Sequence, residues 1–450
     1  MQLARRLRDY RALLIGLTAQ LLQYGSALML VPFMVTRLSK AEIGLWYVFV
    51  AIQSLAFICD FGFQPTFTRA FALGISGATK VERQGFGEEI VTRHAPNFRL
   101  IAETMEAARI FYRLLAGLIL LALVGAGIPY IATISGKGGL DVRYAELAWL
   151  VFSVSIGLNL YFLWVDAALV GFGRVEQNYL YIVINRAASV AIAIGALLAG
   201  GGLIAVAGAL IAGQIIARTV ALYLLRDLTR QCRTEKVERR AVHATLNAIW
   251  PNASRMGVVS IGAFLINRYT LFAISAFAGL TSVGPYALAL QMLSAVIAVA
   301  QMPMQISLSK LVDARVRRDV AVLRQTFIMV MAIYLVLAVS GAAFIVTVLP
   351  FALREIGSNI MLLPAGTLLL LTLVLLLEGF HATAATFITT ANEVPFVRAA
   401  LASGVAIAIS VTTAGWLGWG VAAMIACQGM VQLAYNNWHW PWLAWKSIET

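Results

Sequence analysis

AFICDFGFQPTFTRAF, residues 56–71, lies in a run otherwise apolar enough to cross a bilayer, yet it holds Asp60, Pro65 and Arg69. What surrounds it decides how those residues are read. The 450-residue chain is 61% hydrophobic and only 12% charged, with a mean hydropathy of +0.84, which is not the composition of a water-soluble domain. About 20 apolar residues cross the hydrocarbon core as a helix, and the sequence lacks the alternating ten-residue segments of a membrane barrel. Backbone in lipid must satisfy its own hydrogen bonds. An all-α polytopic membrane protein is therefore expected.

Hydropathy places about twelve spans, at 13–35, 43–74, 110–134, 145–170, 179–199, 203–225, 248–275, 284–309, 325–349, 361–388, 397–414 and 416–436. The basic start MQLARRLRDYR leads into an apolar run that reaches Val35, too long for the core of a secretory signal, so a retained first span is expected. Of the 34 Lys and Arg, most outside the spans fall in the N-terminus, the even-numbered connections and the C-terminus. Both termini are then expected on the cytoplasmic side. The net charge of +13 is this topological bias and implies no nucleic-acid partner. The longest central connection, RDLTRQCRTEKVERRAVHATLN at 226–247, is expected to be a cytoplasmic linker. It separates an N-lobe, 1–225 with spans one to six, from a C-lobe, 248–450 with spans seven to twelve and a cytoplasmic tail. Because six is even, the halves share an orientation and form a parallel pseudo-repeat. LSKAEIGLWY (38–47) and LTSVGPYALA (280–289) lead into the second span of each half in similar fashion. Two such bundles facing each other would leave a cleft.

Inside the span limits lie Arg69, Arg113, Arg186, Arg218, Arg255 and Arg268, against the acids Asp60, Asp166 and Glu378. A charge at mid-membrane costs roughly 2.5–3.5 kcal/mol on insertion scales, so such residues pair, face water or protein, or mark a pathway. Snorkelling to the headgroups is the bland alternative; it suits Arg113, near a span end, and suits Arg186 and Arg255 less. Helical phase puts Gln53, Asp60 and Gln64 on one face, with Arg69 opposite unless Pro65 kinks the helix. Ser155, Asn159 and Asp166 form a second polar stripe, Gln214 and Arg218 share a face, and so do Glu378 and His381. Arg255 and Arg268 are out of phase unless their helix bends, near Gly257 or Gly262. The acids are read either as interhelical packing bonds or as sites coupling transport to H+ or Na+; His381 is read as a packing histidine or a relay beside Glu378.

Several chemistries are excluded. Cys59, Cys232 and Cys427 have no disulfide or metal spacing. There is no G-x-x-x-x-G-K-[ST], since GISGATK (74–80) has the wrong spacing, and no D-x-D sugar-nucleotide motif or metal-ligand cluster. No cofactor, metal or catalytic residue is expected. The short outer loops leave no room for a catalytic domain. The tail NNWHWPWLAWK (436–446) is read as an interfacial aromatic anchor through Trp438, Trp440, Trp442 and Trp445.

LVPFMVTRLSKAEIGLWYVFVAIQSL (30–55), DFGFQPTFTR (60–69) and SGA (76–78) together resemble the polysaccharide transporter family, the Wzx-type flippases of lipid-linked oligosaccharides. That family belongs to the MOP superfamily, with the multidrug MATE exporters and the lipid II flippases. The resemblance covers residues 1–80, and beyond them rests on span count and the six-plus-six layout. It implies two six-helix lobes, a central cationic cavity, and alternating access in a bacterial inner membrane. The cargo it implies is an undecaprenyl-pyrophosphate-linked glycan, an O-antigen or exopolysaccharide repeat unit, carried from the cytoplasmic to the outer leaflet. The partners it implies are that glycan lipid, membrane lipids and polysaccharide polymerase machinery.

The residues independently suit such cargo. A diphosphate needs cationic donors, and the arginine fork matches phosphate oxygens, so Arg69, Arg186, Arg218, Arg255 and Arg268 are the candidate cavity cations. Two rivals remain. A MATE-like ion-coupled exporter of cations would want a net acidic cavity, and a membrane glycan polymerase or ligase would want a large outer loop.

Overall fold

The structure, a computed structural model, describes residues 29–78, 95–233, 237–316, 319–359, 362–390 and 395–448. Residues 13–28 of the first expected span lie outside them. Among the described residues every regular element is helical. In chain order these are α1 (29–37), α2 (Lys40–Ile58), α3 (Phe63–Ile75), α4 (Phe98–Ala122), a π-helical segment (Leu123–Gly127), α5 (Ile128–Lys137), α6 (Val142–Tyr161) and α7 (Leu163–Gly171). Next come α8 (Val175–Leu198), α9 (Leu203–Leu224), α10 (Arg226–Arg233), α11 (Arg239–Asn267), α12 (Tyr269–Phe277) and α13 (Leu280–Val316). The last are α14 (Val320–Thr347), α15 (Leu349–Glu355), α16 (Ala365–Thr389), α17 (Val397–Trp416), α18 (Gly420–Ala434) and α19 (Asn436–Lys446). Among the described residues, nine helices are long and apolar enough to cross a membrane, or ten if the bent pair α11–α12 is one span. The chain is a multi-pass, all-α membrane protein. Side chains such as Leu118, Val336 and Ile409 point outward from its helices, as lipid contact requires.

Local chemistry fixes the ends and breaks of the spans. LSKAE starts α2 with a capping box: Glu42 N–H donates to Ser39 Oγ at 3.2 Å, and Ser39 N–H to Glu42 Oε2 at 2.8 Å. The expected second span is broken, and not where Pro65 suggested. The break is at Cys59–Gly62, where Phe61 (φ 48) and Gly62 (φ 75) are both left-handed. Gly62 adopts that geometry without strain, whereas Phe61 does so at a cost of about 1–2 kcal/mol. The Phe61 ring is seated against Gly257 of α11, so closely that a Cβ on that glycine would lie 1.9 Å from it. Pro65 falls in the first turn of α3, where its missing N–H is harmless. The third span runs from Phe98 to Lys137 through the π segment; Trp149, fully buried, donates its indole N–H to the Leu123 carbonyl there at 2.8 Å.

Contacts gather the chain into two compact units. One holds Ile52–Gly136 and Leu140–Ser260; the other holds Leu38–Ala51 and Ile261–Thr450. Within the expected linker 226–247, the described residues form α10 and the start of α11, and they pack with the first unit. The core of the first unit centres on Phe63, Phe67, Phe71, Tyr112 and Trp164, with Phe63 stacked on Phe111 at 3.9 Å. In the second unit the two similar span starts meet: a Cβ on Gly44 would lie 2.1 Å from the Leu280 carbonyl oxygen, and Tyr47 donates to Gln291 Oε1 at 2.7 Å. Its other core joins Met304, Phe327, Phe387 and Trp440.

The tryptophan tail is α19, a helix with two faces. Trp440 and Ala444 are buried, while Trp438, Trp442 and Trp445 lie exposed at spacings of four and three. Trp440 thus belongs to the core rather than to the aromatic belt.

Candidate functional site

In the first unit, polar side chains collect at two helix breaks. Asp60 stands in the α2–α3 break. Its Oδ2 accepts from the Gln64 N–H at 3.2 Å, in the first turn of α3, and its Oδ1 accepts from the Tyr112 hydroxyl at 2.7 Å. The second break divides the expected fourth span at Phe162, between α6 and α7. A break exposes carbonyls at one helix end and N–H groups at the next, so the first attracts a cation and the second an anion. Arg218 of α9 and Asp166 in the first turn of α7 fill those roles. The Arg218 guanidinium donates to the Phe162 carbonyl at 3.2 Å and to Asp166 Oδ2 at 3.3 Å. It also lies over the rings of Tyr181, at 4.5 Å, and Phe162, at 5.3 Å. Both partners are buried, Arg218 at 4% and Asp166 at 8% exposure. Gln214, one turn from Arg218, is buried, and neither its carbonyl oxygen nor the Arg218 Nε has a hydrogen-bond partner among the described residues.

In the second unit the acid sits on an unbroken helix. Glu378, in the middle of α16, is buried, and its Oε1 accepts from Gln428 Nε2 of α18 at 3.0 Å; Gln428 Oε1 in turn accepts from the Thr270 hydroxyl at 2.7 Å. One turn along α16, His381 Nδ1 lies 2.7 Å from Asn437 Oδ1 on α19. Gln428, Gln432 and Asn436, at spacings of four, are all buried. Asn436 Nδ2 donates to Gln432 Oε1 at 2.6 Å and to Ser403 Oγ at 2.8 Å, and Trp440 Nε1 donates to Asn436 Oδ1 at 2.9 Å. The two units use the same positions: in each half an acid of the fourth span meets a long polar side chain of the sixth, Asp166 with Arg218 and Glu378 with Gln428.

The remaining sequence candidates are distributed as follows. Arg186 is exposed near the middle of the 24-residue α8. Arg268 is partly exposed at the 45° bend between α11 and α12, so the bend lies at the arginine itself and not at Gly257 or Gly262. Arg255 is on α11, with its side chain outside the described set. Arg69 and Arg113 are exposed, and Gln53 and Asn159 are half-buried. The break at Phe162 takes Asp166 off the stripe expected with Ser155 and Asn159; Ser155 bonds back to the Phe152 carbonyl at 2.7 Å. Among the described residues no carboxylate lies within ion-pair distance of Arg186 or Arg268, and no Lys or Arg within that distance of Glu378. No group of three or more metal-ligating side chains occurs among the described residues. Sequence reading missed Tyr112, Tyr181 and Gln428. The Gln428–Gln432–Asn436 spacing was a signal for the last of these.

No protein-family model matches the chain, and no curated protein matches it. Solved structures do. The lipid II flippase MurJ in an inward closed conformation aligns with a TM-score of 0.64 at 14% identity, covering 96% of this chain and 88% of that one. An inward-facing multidrug resistance MATE family transporter of the MOP superfamily aligns at 0.59 and 15% identity, over 94% and 98%. A MOP superfamily transporter from Pyrococcus furiosus, in which reverse polarity of the binding pocket suggests a different function, aligns at 0.52 and 14% identity, over 98% and 95%. Likeness at such identity is likeness of fold, and the chain shares its all-helical fold with these transporters.

Proposed function

We propose that this chain is a flippase that carries an undecaprenyl-pyrophosphate-linked oligosaccharide from the cytoplasmic to the outer leaflet by alternating access. One observation carries the reading. Each intramembrane acid has a donor within its own unit, Tyr112 for Asp60, Arg218 for Asp166 and Gln428 for Glu378, whereas Arg186 and Arg268 have no carboxylate within ion-pair distance among the described residues. With the Arg218–Asp166 pair set aside, Arg69, Arg113, Arg186, Arg255 and Arg268 outnumber Asp60 and Glu378 inside the expected spans, so the net charge there is positive. Arg186 lies seven residues inside its expected span, about 10 Å at 1.5 Å per residue, where reaching the headgroups is harder than at a span end. An exposed arginine at that depth is tolerated where its surroundings are wet, and it would hold a diphosphate well.

In this reading Arg186, Arg268, Arg255 and Arg69 are each candidates to meet the diphosphate, and Arg218 is held in place by Asp166. An inside-negative potential assists outward movement of an anion by about 2.3 kcal/mol per charge per 100 mV. The lobes are the six-span halves joined by 226–247, in a bacterial inner membrane with both termini cytoplasmic. The resemblance at residues 30–78 supports the glycan class, and the MurJ-like fold supports a lipid-linked cargo.

Glu378 favours ion coupling as part of the same mechanism. It is a buried carboxyl group with an amide partner and no cation within reach among the described residues, the arrangement that would admit H+ or Na+. A MATE-like exporter is the second reading, and this acid is what favours it.

The test is display of surface glycan in a strain lacking the chromosomal copy. Arg186→Ala and Arg268→Ala are expected to abolish display at normal protein level, with Arg186→Lys restoring part of it. Full display in both Ala variants refutes the assignment.

A further inference from the structure

Outside these clusters, a cavity of about 650 Å³ opens in the first unit between α4, α10 and the start of α11. Arg109 and Arg113 of α4 and His243 of α11 line it, with Met105 and Val242 as apolar walls and Glu106 as the one acid among the lining residues. Arg109 and Arg113 are four residues apart on one helical face, so both guanidinium groups can turn toward one anion in the cavity. The Arg109 guanidinium is steadied over the Trp164 ring at 4.5 Å. We propose that this cavity binds a phosphate ester, the phosphate held by Arg109, Arg113 and His243, and that its source is an anionic glycerophospholipid of the surrounding leaflet.

Three observations favour a lipid source. The sequence of α4 changes at Arg113 from FRLIAETMEAARIFYR to LLAGLILLA, which sets the arginine pair at headgroup depth. Beyond Arg113, the exposed side chains Leu114, Leu118 and Leu121 form one stripe along α4, where an acyl chain from a phosphate at Arg113 would lie. The apolar cavity walls suit glycerol and the first methylenes better than a hydrated free anion. Headgroup binding here would tie α10 and the start of α11 to α4, coupling the leaflet's anionic content to the order of the connection between the halves. The site is independent of the cargo reading, since none of its residues is proposed to touch cargo.

The experiment uses the full-length protein in phosphatidylcholine nanodiscs, with or without phosphatidylglycerol, and in phosphatidylcholine discs with added glycerol 3-phosphate. Hydrogen exchange of residues 226–246 and lipid retention in native mass spectrometry are read together. Phosphatidylglycerol is expected to protect this segment and to be retained over phosphatidylcholine. Arg113→Gln and the double variant R113Q/H243Q are expected to weaken retention by about tenfold for each charge-assisted bond removed. Arg113 is exposed, so its variant tests binding without disturbing the core. Equal retention of the two lipids, or undiminished retention in the double variant, overturns the site. Protection by glycerol 3-phosphate with none from phosphatidylglycerol overturns the lipid source.

Discussion

Changing Asp166 to Asn and Arg218 to Gln, singly and together, separates a charge kept for the fold from one kept for cargo. Both groups are nearly out of solvent, and the guanidinium already has an unpartnered Nε. D166N leaves Arg218 with the Phe162 carbonyl at 3.2 Å and two aromatic faces, but with no counter-charge. Removing one partner of a buried ion pair costs about 3–5 kcal/mol, and R218Q should cost a similar amount through the stranded carboxylate. The double variant leaves two neutral amides, which recover about 1 kcal/mol as a hydrogen bond. It should be destabilised by only about 1–3 kcal/mol, well short of the sum of the singles, which is the signature of direct coupling.

Unfolding can be followed by labelling buried thiols, because Cys232 and Cys427 are buried in different units. In a Cys59→Ser background, D166N is expected to expose Cys232 at a lower denaturant concentration than Cys427. Additivity of the two substitutions within about 0.5 kcal/mol would refute the pairing. A double variant that is folded but unable to display glycan would instead place Arg218 with the cargo.

Other substitutions probe the breaks and close approaches. Gly62→Ala should destabilise by about 1–2 kcal/mol, because alanine resists the left-handed geometry at φ 75, while Pro65→Ala in the first turn of α3 should stay within about 0.5 kcal/mol of the parent; chemical denaturation compares them. Gly44→Ala would place a Cβ 2.1 Å from the Leu280 carbonyl, so α2 and α13 must separate, at about 1–3 kcal/mol, with Tyr47–Gln291 disturbed; thermal unfolding in detergent checks this. Trp149→Phe should leave the Leu123 carbonyl buried without its donor at about 1–3 kcal/mol, seen as faster hydrogen exchange around residues 123–128.

Hydropathy named about twelve spans, of which nine or ten appear among the described residues, because it measures what lipid selects, the apolar length of a segment. It could not place the breaks, because they depend on backbone hydrogen bonding rather than on apolarity. Pro65 is the strongest helix breaker in its span, yet the chain breaks before it, at Phe61 and Gly62. Arg268 gives no sign in sequence that it marks a 45° bend. The phase argument joining Ser155, Asn159 and Asp166 assumed a straight helix and failed at Phe162. On α16, which is unbroken, the same argument holds: Glu378 and His381 face α18 and α19. Hydrogen-bond partners were least legible where they were uncharged. Tyr112 and Gln428 look like ordinary span residues until tertiary packing sets them against acids.

The charges inside apolar runs resolve into a division of labour. Where a span breaks, backbone groups lose their helical partners in a medium that offers no water. A charged side chain placed there satisfies such a group, as Asp60 does for the Gln64 N–H, while Arg218 adds a second donor to the Phe162 carbonyl, which already accepts from the Val165 N–H at 2.9 Å. Such residues would stand in the sequence even if nothing were transported. Arg186 near the middle of α8 and Glu378 in the middle of α16 cannot be explained in this way, since each lies on a helix whose backbone is complete. The backbone of an unbroken span gains nothing from a charge at its centre, and insertion free energy is lost. In the reading proposed above, transport is what holds them there, Arg186 for the diphosphate and Glu378 for the coupling ion, with Glu378 also bonded to Gln428 of α18.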